Sequence, residues 1–192
     1  MKHTLKLQII EKRNSLTDQE VKDKSKKIIN NLKSLKEFKE AKNILFYISC
    51  KKEVDTQEII KELLEKKEKN IIVPYTIKNK PKIFLSELKD FVELEPKTFG
   101  ILESKEKYIR EFNKDKVDLV IVPAIVFDKN GYRIGYGYGY YDRFLKTIKK
   151  DIVKVGLAFD FQLIDKIPEE EHDVPLNIIV TEKEIIRVDS KD

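Results

Sequence analysis

Val117-Asp-Leu-Val-Ile-Val122-Pro123-Ala-Ile-Val-Phe127-Asp128-Lys-Asn-Gly131-Tyr-Arg133-Ile-Gly135-Tyr-Gly137-Tyr-Gly139-Tyr-Tyr141-Asp142-Arg143 is the stretch around which the chain is organised. It opens with a short apolar, β-branched run ended by a proline, which reads as a strand buried on both faces. It closes on a helical pattern, with Tyr141, Phe144, Leu145 and Ile148 recurring over 140–150. Four of the chain's six glycines lie between the two. A glycine loop between a strand and a helix lets backbone N–H groups approach an anion closely, so a phosphate cradle is one reading. The other is structural. Gly135, Gly137 and Gly139 alternate with Tyr136, Tyr138 and Tyr140, and an edge strand with one tyrosine face has the same period. The loop carries neither the Gly-Lys-Ser/Thr of a P-loop nor full GxGxxG spacing.

Outward from this stretch the pattern repeats. Short apolar runs at 44–48, 70–74, 82–85, 153–157 and 178–180 read as strands, and 185–188 as a terminal edge strand. Between them lie amphipathic helical patterns: Leu5, Ile9 and Leu16; Val21, Ile28, Leu32 and Leu35; Ile59, Ile60, Leu63 and Leu64. Thr17-Asp-Gln-Glu20 is a capping box opening the second of these, and Asp55 or Thr56 can cap the third. Residues 87–115 are less regular. Strands alternating with helices predict a single α/β domain over 1–192, a three-layer sandwich with a mainly parallel, Rossmann-like sheet and helices on both faces. Functional groups are then expected at the carboxyl edge of the sheet.

With 192 residues, 41% of them hydrophobic, the chain can bury one sizeable core. No apolar stretch approaches the roughly 20 residues that span a bilayer, and Met1-Lys-His-Thr lacks an apolar signal core, so a cytoplasmic protein without membrane contact is expected. Cys50 stands alone and only His3 and His172 accompany it, which excludes an internal disulfide and a Cys/His zinc cage. Cys50 reads as a small apolar core residue. The net charge is +5, and residues 1–50 hold 12 Lys/Arg against 6 Asp/Glu. Such an excess suits nucleic acid or a small polyanion, but acids interspersed at helical spacing favour a solvated helix face.

The whole string, Phe127-Asp128, Gly131, Arg133 and then Gly-x-Gly-x-Gly-Tyr-Tyr-Asp-Arg, resembles the signature of the 5-formyltetrahydrofolate cyclo-ligase family. The resemblance extends through Lys2, Glu53-Val54-Asp55-Thr56, Pro74, Pro123, Gln162 and His172-Asp173. It implies an enzyme that converts 5-formyltetrahydrofolate and ATP to 5,10-methenyltetrahydrofolate, ADP and phosphate, with Mg²⁺. By resemblance, Lys2, Lys6, Arg133, Ile134, Gly135, Tyr136, Gly137, Tyr138, Gly139, Tyr140 and Tyr141 bind ATP, with Lys6 where the family usually has arginine. Ile48, Glu53 and residues 136–140 contact the folate. Glu53 and Arg133 are the catalytic candidates, and Asp142 and Asp173 the metal ligands; as alternatives, Asp142 is a first-turn helix carboxylate and Asp173 a turn residue. Leu5, Ile9 and Arg13 complete the match of the opening helix, and Glu103 is expected near the active-site lip, with Ser104 replacing a family proline. The partners implied are small molecules, with no nucleic acid, and a monomer is expected. Two other classes stay open on the residues alone. A folate- or nucleotide-binding protein without turnover would release no phosphate, and a single-strand nucleic-acid module would use the basic half and the tyrosines together.

Overall fold

The computed structural model of the protein describes residues 2–97, 100–168, 170 and 173–189. In chain order the elements are α1 (Lys2–Asn14), α2 (Asp18–Ser34), α3 (Lys36–Glu40), β1 (Asn43–Leu45), α4 (Gln57–Lys66), β2 (Asn70–Ile77), β3 (Lys80–Leu88), β4 (Leu94–Pro96), β5 (Leu102–Ser104), β6 (Leu119–Val122), β7 (Val126–Asp128), β8 (Arg133–Ile134), α5 (Tyr140–Leu145), β9 (Val153–Leu157), β10 (Leu163–Ile164), β11 (Ile178–Val180) and β12 (Ile185–Arg187). Seven strands form one sheet in the order β12-β11-β9-β6-β1-β2-β3. The inner five are parallel, and β3 and β12 close the edges antiparallel.

The apolar runs lack alternation with polar residues because both sheet faces are covered. Ile44, Phe46, Ile71, Val73, Leu119 and Ile121 join the core beneath α2, α3 and α4. Their neighbours Leu45, Ile72, Val120 and Val122 turn to the opposite face, where Phe127, Phe144, Leu145 and Ile148 cover them. Each fully buried side chain of this size contributes roughly 1.5–3 kcal/mol, so both faces of the sheet stabilise the fold. The three expected layers are therefore present.

Among the parallel strands the chain goes from β1 to β2 on one side, then crosses to β6 on the other. Connections depart in opposite directions between β1 and β6, which makes the carboxyl end of that pair the topological switch point, the crevice where open α/β sheets take ligands. A smaller sheet, β10-β7-β8, stands beside it. On that sheet α1 packs through Ile9, against Ile125, Val126 and Ile167.

Several signature residues build this frame. Asp128 is fully buried. One of its oxygens accepts from the N–H groups of Asn130 (3.0 Å) and Tyr132 (2.9 Å), the other from Ile167 N–H (2.7 Å). Gln162 donates to the Ala124 and Ile125 carbonyls and accepts from Phe159 N–H. Gly131 sits at φ +86°, and an added Cβ would lie 2.6 Å from the Leu176 carbonyl oxygen. These three set the course of the chain from β6 into the glycine loop.

The capping box forms as expected, Thr17 Oγ1 accepting from Glu20 N–H and Glu20 Oε2 from Thr17 N–H. Of the two candidate caps at α4, Asp55 accepts from Gln57 N–H at 2.8 Å. Thr56 turns inward instead, donating to the Tyr47 carbonyl and accepting from Ser49 N–H. The helix expected over 140–150 ends at Leu145. There the Thr147 hydroxyl donates to the Phe144 carbonyl and the Thr147 carbonyl is taken by Lys114 Nζ, so the helical ladder is not continued. Cys50 is half-buried at the sheet edge rather than in the core, because it follows the strand into the turn that leads to Glu53.

Candidate active site

β1 delivers Tyr47 to Glu53 to the switch point. Ile44, Phe46 and Ile48 share one face by the strand period, so the Ile48 side chain is packed into the larger core. The chain then turns sharply through Lys51, a non-glycine residue at φ +51°. Glu53 closes the turn: its N–H donates to the Cys50 carbonyl (3.2 Å), and its Oε2 accepts from Cys50 N–H (2.8 Å). Glu53 is thus itself part of the turn, and its other carboxylate oxygen is directed across the crevice. Burial, with the Glu53 carboxylate alongside, pushes the Cys50 thiol up to about 11. Near neutral pH it is a thiol and not a nucleophile.

β6 delivers the glycine loop to the opposite side. From it Tyr136 reaches over the crevice, and its hydroxyl donates to Glu53 Oε1. The Tyr136 hydroxyl oxygen in turn accepts from Arg13 Nη1 at 3.0 Å. Burial, and then the Glu53 carboxylate, hold the Tyr136 hydroxyl well above its ordinary pKa, so it remains a donor. Gly137 and Gly139 lie at φ +103° and +66°. α1 supplies cations to this loop. Lys6 Nζ donates to the Tyr136 carbonyl at 2.7 Å, and Lys2 pairs with Glu170 at 2.7 Å and lies 3.8 Å from Asp173. The remaining loop tyrosines diverge: Tyr138 is 61% exposed, whereas the Arg143 guanidinium lies over the Tyr140 ring.

Arg133 is buried between loop and sheet. It donates to Asp142 Oδ1 at 2.5 Å and to the Val174 carbonyl at 3.0 Å. Burial lowers its pKa, while Asp142 and Asp173 oppose that shift. Asp142 is paired with this guanidinium and Asp173 lies in its field, although 31 residues separate the two carboxylates in the chain. His172 lies outside the described residues. The Tyr141 hydroxyl is buried without a hydrogen-bond partner, in the field of both Glu53 and Arg133. Glu103 accepts through its carboxylate from Thr76 N–H and Oγ1, near the carboxyl end of β2.

Glu53, the 135–139 loop, Lys6 and Tyr141 therefore meet at one crevice, with Lys2, Arg133, Asp142 and Asp173 along its flank. Two further residues have structural parts not foreseen from the residue pattern. Arg143 ties the loop down through the Pro81 and Tyr138 carbonyls. Arg13 reaches the centre of the crevice, and its signal was the spacing Lys2, Lys6, Ile9, Arg13, which at i, i+4, i+7 and i+11 lines one helix face.

A family model for the 5-formyltetrahydrofolate cyclo-ligase family matches residues 1–182. The chain belongs to the 5-formyltetrahydrofolate cyclo-ligase family. It is accordingly a ligase. A 5-formyltetrahydrofolate cyclo-ligase of Haemophilus influenzae is 34% identical over 146 residues, covering 74% of this chain and 77% of that protein. The solved structure of an Aquifex aeolicus 5,10-methenyltetrahydrofolate synthetase superposes with a TM-score of 0.86 at 38% identity, covering 100% of this chain and 95% of that one. A 5,10-methenyltetrahydrofolate synthetase from Mycoplasma pneumoniae gives 0.75 at 26% identity, covering 94% and 98%. Among the described residues no helix is long and apolar enough to cross a membrane.

Proposed function

We propose that this protein converts 5-formyltetrahydrofolate and ATP to 5,10-methenyltetrahydrofolate, ADP and phosphate. Beside family membership, the observation that carries the reading is the contact of Tyr136 with Glu53. It makes one site of the loop assigned to ATP and the carboxylate assigned to folate.

The N5-formyl group is an amide, with an unreactive carbon and a poor leaving oxygen. Transfer of the γ-phosphoryl group to that oxygen forms an O–P bond, breaks the bond to ADP and makes the oxygen a leaving group. N10 then attacks the formyl carbon, its proton passes to Glu53, and the C–O bond breaks to release phosphate. Phosphoryl transfer is chiefly positioning and charge neutralisation. Backbone N–H groups of 135–139 are suited to hold the phosphates, with Ile134 and Tyr141 at either end of the loop, Lys2 and Lys6 supplying charge from α1 and Arg133 from β8. The rings of Tyr136, Tyr138 and Tyr140 offer stacking faces for pterin or adenine, each contact contributing roughly 1 kcal/mol. Ile48 supports the folate side through the core beneath Glu53. Both substrates are water-soluble, in keeping with a cytoplasmic enzyme.

Mg²⁺ normally takes one or two carboxylates together with phosphate oxygens and water. The described residues contain no group of three His, Cys, Asp or Glu able to cage a metal; Asp142, paired with Arg133, and Asp173, in the field of the same guanidinium, are the two carboxylates suited to an ion shared with the phosphates. When bound there, Mg²⁺ neutralises phosphate charge. In Asp142→Asn the Mg²⁺ concentration for half-maximal rate should rise about tenfold and the rate fall, with Asp173→Asn milder. A titration of rate against Mg²⁺ checks this, and unchanged dependence in both variants would make the two carboxylates structural.

The direct test follows methenyl absorbance and phosphate release in purified protein with 5-formyltetrahydrofolate and Mg·ATP. One phosphate should appear per ring closed, and none without folate. Phosphate released equally fast without folate would show an unrelated ATPase.

A further inference from the structure

Arg13 has no part in the reaction as sketched, yet it occupies the centre of the crevice. It is 4% exposed. Among the described residues its guanidinium makes one hydrogen bond, to the Tyr136 hydroxyl, and its Nε is buried with no partner. Removing a cation from water costs several kcal/mol unless hydrogen bonds and an opposite charge meet it. The opposite charge is Glu53, one oxygen away, since the Tyr136 hydroxyl accepts from Arg13 and donates to Glu53. Arg13 and Glu53 line one small recess with Tyr47, Pro123, Ala124 and Leu157, which has room for about one water molecule. A cation and a carboxylate thus address a single point, and the group now at that point is a phenol mounted between two glycines. No atom lies within 4 Å of a Cβ added at Gly135, and beyond the Lys6 bond to its carbonyl the Tyr136 segment belongs to no core cluster.

A ligand that replaces the phenol oxygen has to offer Arg13 an acceptor and Glu53 a donor. On the reading of the reaction given above, 5-formyltetrahydrofolate carries that pair at its reacting end, the formyl oxygen and N10–H. We propose that Arg13 is a substrate-binding residue of this site that donates to the formyl oxygen, and that the Tyr136 hydroxyl holds its place until folate arrives. As the C–O bond breaks, negative charge develops on the departing phosphate oxygen, and Arg13 is the donor aimed at it. This assigns the folate-proximal charge to α1, and leaves Arg133 and the lysines to ATP.

The experiment is calorimetric titration of 5-formyltetrahydrofolate without ATP into the parent protein, Arg13→Gln and Tyr136→Phe, with folding checked by thermal melts. Arg13→Gln should bind folate about 10- to 100-fold more weakly, as for loss of a charge-assisted hydrogen bond, while its ATP affinity stays that of the parent. Tyr136→Phe keeps the ring but removes the competing oxygen, so folate should bind several-fold more tightly. A folded Arg13→Gln that binds folate like the parent overturns the proposal. So does a Tyr136→Phe that binds folate no better, and that titration decides alone if Arg13→Gln fails to fold. A parent that neither binds nor cyclises 5-formyltetrahydrofolate would instead overturn the reaction itself.

Discussion

Glu53→Gln should lower the rate of ring closure by about 10²- to 10⁴-fold, the range that a positioned general base supplies, while ATP binds as before. The amide retains an oxygen to accept from Cys50 N–H, so the turn through Lys51 keeps its closing bond. What it loses is the negative charge opposite Arg13 and the capacity to take a proton from N10. Because the side chain is anchored by one oxygen and directs the other across the crevice, the substitution separates chemistry from folding more cleanly than alanine would. Single-turnover methenyl absorbance, read beside calorimetric ATP affinity and a thermal melt, checks it. A variant that closes the ring at the parent rate would return Glu53 to a turn residue.

Gly137→Val should reduce ATP affinity at least tenfold and leave the melting temperature nearly unchanged. Gly137 is at φ +103°, where an L side chain costs on the order of 1–3 kcal/mol. The loop is exposed and touches no core cluster, so it relieves that strain by rearranging, and the arrangement of N–H groups is lost. An added Cβ would also stand 3.6 Å from Lys6 Nζ, at the cation that holds the Tyr136 carbonyl. Undiminished ATP affinity in a folded variant would make this loop a structural turn and not a phosphate cradle.

The sheet was legible in the residues because strands covered on both faces read as unbroken apolar runs, and Leu119–Val122 is the purest case. Local chemistry was legible too. The Thr17–Glu20 capping box forms between groups three residues apart, and no distant part of the chain can change which of them are in reach. The glycine loop was visible as composition, and its family resemblance supplied candidate roles residue by residue.

Strand order was not legible, because pairing across a sheet depends on contacts between segments tens of residues apart. That order puts β1 beside β6 and so brings Glu53 to Tyr136, 83 residues away. The same long-range packing divided the signature into two classes that look alike as letters. Asp128 and Gln162 spend their polar atoms on backbone groups of the frame, whereas Glu53 keeps an oxygen for the crevice. Arg13 shows the limit most clearly. Its spacing with Lys2, Lys6 and Ile9 places it on one helix face, but only the seating of α1 on the small sheet buries it and turns it toward Glu53. Periodicity tells which face of a helix is covered; what that face meets is decided by the chain that folds beneath it.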